Sequence, residues 1–130
     1  MATATLVNQE IEEGKRLIDA LNAAGLSVDS ALWLYSSERE SWRLMLTSPL
    51  CDQKGTLHTY KEIMVVFRQV EPELKMDWTG LVAVSPNDEL IKALRQLQQE
   101  GNFKLSGRRM TNNLLSNRMW VDDAYIYQIA

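Results

Sequence analysis

The chain has 130 residues, 45% hydrophobic and 24% charged, with a formal net charge of −3. That length suits one domain with its own core, and the acidic balance argues against a general nucleic-acid coat. A single cysteine, Cys51, excludes an internal disulfide or a cysteine-rich zinc site. No apolar run approaches the ~20 residues needed to cross a bilayer, so no membrane partner is expected. The start, Met-Ala-Thr-Ala-Thr-Leu-Val, lacks the charged and apolar blocks of a signal peptide, which points to a cytosolic location.

In chain order, residues 5–24 read as a helix. Val7, Ile11, Ile18 and Leu21 recur at helical spacing, Leu17 widens the stripe, and Gly25 ends it. Thr5 or Asn8 can cap its start. Gly14 lies on the buried stripe at a cost of about 1 kcal/mol against alanine, which suggests close approach to a sheet. Residues 31–35 and 42–49 then flank a polar turn, the pattern of an antiparallel hairpin. With Tyr35 opposite Trp42, Trp33 faces Leu44 and Ala31 faces Leu46 on one side, while Leu32, Leu34, Arg43 and Met45 take the other. Only Arg43, beside the turn, is charged within the strands, so both faces need cover.

Residues 51–55 read as a loop, Thr56 as the cap of a second helix ending before Pro72, and 71–77 as a connector. Leu81-Val82-Ala83-Val84 is apolar without alternation, as in a central strand covered on both faces. Ser85-Pro86 predicts a helix starting within two residues of Pro86, capped by Ser85 and ending at Gly101. Residues 103–130 read as strand, polar loop, strand. In the last strand Tyr125, Tyr127 and Ile129 share one face, and Ala124, Ile126 and Gln128 the other. The order α-β-β-α-β-α-β-β predicts an α+β fold: one mixed sheet of about five strands with helices packed on it. Leu32, Leu34, Leu81, Val82, Ala83, Val84, Leu94 and Ile126 are its expected core.

The runs Ala-Leu-Trp-Leu-Tyr, Trp-Arg-Leu, Ser-Pro-Leu and Asp-Ala-Tyr-Ile-Tyr resemble a set of small bacterial proteins described only as hypothetical. That resemblance implies a bacterial source and no particular activity. The first helix and hairpin are also similar in outline to small sensory domains of the GAF or PAS type, from which the later helix-strand order departs.

Catalytic chemistry finds little purchase. His58, the only histidine, lies seven residues after Cys51, and nothing in that spacing brings thiolate and imidazole together. One histidine and one cysteine fall short of the three ligands of a catalytic zinc. Asp122 and Asp123 are adjacent on a strand and point to opposite faces, so they share a metal only at a bulge. No glycine-rich phosphate loop is present, and the residues call for no cofactor.

Two surfaces stand out. The first is the aromatic set Trp33, Tyr35, Trp42, Tyr125 and Tyr127, a candidate interaction surface unless a helix or strand of the same chain covers it. The second is the stretch 103–121, with Lys104, Arg108, Arg109 and Arg118 and no acid, a candidate patch for anions or nucleic acid. Pairing of those cations with Asp122 and Asp123 is the competing expectation. The sequence thus favours a non-enzymatic domain that binds a protein partner or itself through a sheet face or edge. The C-terminal strand is the expected open edge. A nucleic-acid-binding domain is the alternative, with a small metal-dependent hydrolase or phosphodiesterase behind it.

Overall fold

The computed structural model describes residues 6, 8–70, 74, 78–115 and 118–130. Its central hairpin has the register expected from side-chain alternation. Strand β1 (Ser30–Ser36) pairs antiparallel with β2 (Ser41–Thr47), placing Tyr35 opposite Trp42, Trp33 opposite Leu44 and Ala31 opposite Leu46. Three further strands, β3 (Leu81–Val84), β4 (Arg108–Leu114) and β5 (Trp120–Gln128), complete one mixed sheet in the order β3-β2-β1-β5-β4. Only the β2–β3 pair is parallel. The crossover that a parallel pair requires runs through α2 (Leu50–Lys54) and α3 (Thr56–Val70).

Helices cover both faces. The face of Trp33, Leu44 and Leu46 packs against α1 (Asn8–Ala23), through Leu17, Ile18 and Leu21, and against α3, through Ile63, Val66 and Phe67. The opposite face, with Leu32 and Ile126, packs against Leu90, Ile91 and Leu94 of α4 (Glu89–Gly101). On the aromatic face these helices bury Trp33, while Tyr35, Trp42, Tyr125 and Tyr127 stay half-buried. Gly14 is where α1 meets that face: a Cβ there would collide with the Tyr127 hydroxyl and lie 2.9 Å from Trp33 Nε1. At Gly25, φ of 88° and the Leu26 amide bonded to the Leu21 carbonyl end α1 as a left-handed glycine stop. Thr5, Val7 and most of the 71–77 connector lie outside the described residues.

Several expectations need correction. Residues 50–54 are the short helix α2 rather than a loop, with Cys51 turned into the core. Helix α4 starts at Glu89, three residues past Pro86, because the Asp88 side chain accepts from the Leu90 amide and caps it. Ser85 instead shapes the preceding turn, its hydroxyl accepting from the Asn87 amide and donating to Asp52. The helix does end at Gly101 as expected, with Asn102, left-handed at φ 51°, as its C-terminal cap and Gly101 making room for the Phe103 ring. Strand β3 is an edge, so only Leu81 and Ala83 are buried, with Val82 and Val84 half-buried. Leu34 is likewise half-buried.

The C-terminal strand is not the open edge. β5 lies between β1 and β4, held by ladders on both sides. The β1–β5 register shifts between Ala31 and Leu32, whose partners are Gln128 and Ile126. Tyr127 is the extra residue, and beyond this bulge Ile129 turns into the α4-side core instead of sharing a face with Tyr125.

Candidate interaction surface

The aromatic set divides by depth. Trp33 is 3% exposed, and its indole N–H donates to the Tyr127 hydroxyl at 2.8 Å, which donates to the Ile11 carbonyl at 2.5 Å. Burial raises the Tyr127 pKa above its ordinary value, against the opposing hydrogen bond from Trp33. These two residues anchor α1 to the sheet. Tyr35 and Trp42 form a tilted pair with centroids 5.5 Å apart, and Tyr125 meets Tyr127 edge-on at 5.3 Å. Tyr35, Trp42 and Tyr125 are half-buried.

The basic set is dispersed. Arg109 turns onto the aromatic face, where its guanidinium makes two bonds to Asp123 at 3.1 and 3.0 Å and lies 5.5 Å from the Trp42 ring. Its pKa is raised, chiefly by the hydrogen bond to Asp123. Arg108, the next residue, takes the opposite face and stacks on Phe103 at 5.0 Å. Arg118 sits in the turn beyond the far end of β4, and that strand is roughly 20 Å long at ~3.3 Å per residue. Lys104 is exposed before β4 begins. No single face gathers these four cations.

The other pairings resolve similarly. His58 Nε2 lies 3.7 Å from Glu62 Oε1, one helical turn along α3, while Cys51 is packed in the core. His58 and Glu62 border an open cleft of about 320 Å³ beneath the turn after α1. Asp123 holds Arg109 and Asp122 accepts from the Trp120 indole at 2.7 Å, so the two acids serve different partners. Among the described residues no three metal-ligating side chains come together, and no helix is long and apolar enough to cross a membrane.

Both sheet edges are blunted. On β3 the Tyr60 hydroxyl accepts from the Ala83 amide. On β4, Gly107 (φ 74°) and Arg108 both face Ile126, a glycine bulge at the strand's start. Further along, Thr111 faces Asp123 and pairing resumes with Asn113 opposite Val121, leaving Asn112 left-handed at φ 50°. The Asn113 side-chain Nδ2 then donates to the Thr111 carbonyl. These devices limit main-chain pairing with another strand.

What sequence reasoning missed is the tip of the β4–β5 hairpin. Leu114 and Trp120 form its last cross-strand pair and are 65% and 56% exposed, with Met119 beside them at 36%. Trp120 was visible in the basic stretch. Its apolar neighbour was not, because only the register places Leu114 opposite it. Comparison with protein-family models, curated proteins and solved structures gave no match. The site is therefore read from its geometry.

Proposed function

We propose that this chain is a non-enzymatic protein-interaction domain whose contact point is the β4–β5 hairpin tip. The observation that carries the reading is the exposed Leu114–Trp120 pair with Met119 adjoining. Exposed apolar residues scattered singly are ordinary, whereas an exposed cross-strand apolar pair favours a contact. Tryptophan supplies a large rigid surface at little entropic cost, which is why it is enriched at binding hot spots. The blunted edges favour side-chain recognition over strand addition. The nucleic-acid alternative is weaker, since Arg109 is committed to Asp123 and Arg108 faces away from it.

The test is a photo-crosslinking amino acid placed at Leu114 in living cells. Leu57, 71% exposed on α3, serves as the control position. Discrete protein adducts from position 114, absent from position 57, are expected. Equal labelling from both, or none from 114, refutes the reading.

A further inference from the structure

The open cleft beside His58 and Glu62 is assembled from three elements. The turn after α1 supplies Leu26 and Ser27, the start of α2 supplies Pro49 and Leu50, and the first turns of α3 supply His58 and Glu62. Bonds within the chain brace its walls. The buried Ser48 hydroxyl donates to the Leu26 carbonyl at 2.8 Å and accepts from the Leu50 amide at 3.2 Å, joining the α1 turn to α2. The Val28 amide donates to the Asn22 side chain at 2.8 Å and ties the same turn back to α1. A space braced in this way is preformed, as ligand sites usually are.

The cleft carries one fixed charge. Among the described residues that line it, Glu62 is the only one with a permanent charge, and no lysine or arginine is present. The end of α1 adds a partial negative charge, and that helix has no basic residue in its last turn to offset it. Glu62 Oε1 meets His58 Nε2 at 3.7 Å, too far for a hydrogen bond, so the carboxylate keeps open acceptor sites. The start of α3 offers partial positive charge near His58, which makes a carboxylate the competing ligand. The full charge of Glu62 decides for a cation. Beside it, Leu26, Pro49 and Leu50 are half-buried and present an apolar wall.

We propose that this cleft binds a short aliphatic amine in its ammonium form, with the charged head at Glu62 and the carbon chain against Leu26, Pro49 and Leu50. An ammonium carries three donors and no acceptor, which suits a carboxylate with free lone pairs near the negative end of a helix. The volume of about 320 Å³ lies at the low end for ligand sites and limits the chain to roughly four to six carbons. The Glu62 side chain is 51% exposed, so solvent screens the contact and binding is modest. The expected Kd is about 1 mM. This site is separate from the hairpin contact and does not rest on it.

NMR titration of isotope-labelled protein with n-pentylamine hydrochloride, to about 20 mM near neutral pH, tests the proposal. Backbone amide shifts should saturate and cluster at Leu26, Ser27, Leu50, His58 and Glu62. Sodium pentanoate at the same ionic strength should give no saturable shift. Glu62→Gln should weaken pentylamine binding about fivefold by removing the charge that receives the ammonium. Glu12→Gln makes the same charge change on an exposed residue near the other end of α1 and should leave the Kd unaltered. Both substitutions are at exposed positions, and the amide spectrum itself reports whether each variant is folded. Shifts that grow without saturating, equal binding of pentanoate, or an unchanged Kd in Glu62→Gln overturns the proposal. An equal loss in both variants overturns it too, because overall charge and not the cleft would then govern binding.

Discussion

The two faces of the sheet are buried to a similar depth by different means. Beneath α4 the contacts are aliphatic: Leu32, Ile91, Leu94 and Ile126 are each 0–1% exposed. Beneath α1 the chain sets a directional chain of hydrogen bonds, from Trp33 through Tyr127 to the Ile11 carbonyl, against a glycine that admits it. Aliphatic packing supplies stability with little directional demand, whereas a buried polar chain specifies one orientation and leaves costly orphans when broken. The α4 face should therefore lose most from lost volume, and the α1 face from lost fit.

The largest expected effect is on the aliphatic side. Leu94→Ala should lower unfolding free energy by about 2–5 kcal/mol in urea denaturation, through lost transfer energy and a residual cavity. A loss under about 1 kcal/mol would show that the α4 face collapses to fill the space.

On the other side, Gly14→Ala should destabilise by about 1–3 kcal/mol although alanine is the better helix former, because the added methyl meets Tyr127 and Trp33. Tyr127→Phe should cost about 1–3 kcal/mol by leaving the Trp33 N–H buried without an acceptor. Combined, the two should cost less than their sum, since removing the hydroxyl frees the space the methyl needs. Strict additivity in that cycle would mean that α1 shifts bodily instead.

A smaller contrast lies at the start of α4. Asp88→Ala should cost about 1 kcal/mol as loss of the true cap, and Ser85→Ala less. Equal losses would reinstate Ser85 as a determinant of the helix start.

The mildest prediction concerns alkali. Burial raises the folded-state pKa of Tyr127 above its ordinary 10.0. Its contribution is therefore complete below pH 10. It declines as pH rises further, because the unfolded chain loses the proton first. Stability against pH should fall more gently above pH 10 in Tyr127→Phe than in the parent.

Local chemistry was legible in the sequence wherever one residue type admitted one role. Alternation in the hairpin gave its register, Gly14 signalled close approach, and Gly25 and Gly101 bracketed helix ends. Misreadings arose where neighbours distant in sequence decide. The apolar run of β3 reads as central, yet nothing local shows that its far side is met by Tyr60 from α3. Ser85 and Asp88 are both competent caps, and the bond from Ser85 to Asp52 on α2 assigns the turn to one and the helix to the other. At the candidate site, composition exposed the cations but not their directions. Arg108 and Arg109 part company because strands alternate, and the exposed Leu114–Trp120 pair exists only once the register is known.

The strand order also bears on how the protein is made. β3, β2 and β1 lie together and come from the first 84 residues, but the free side of β1 waits for β5. The Trp33–Tyr127 bond spans 94 residues. During synthesis the middle of the future sheet is therefore its temporary margin, lined by Leu32 and Trp33 and open to other chains. Closure of that seam is the long-range step that should set the folding rate. A product terminated before Trp120 would keep the seam permanently open, making it a substrate for chaperones or a seed for aggregation.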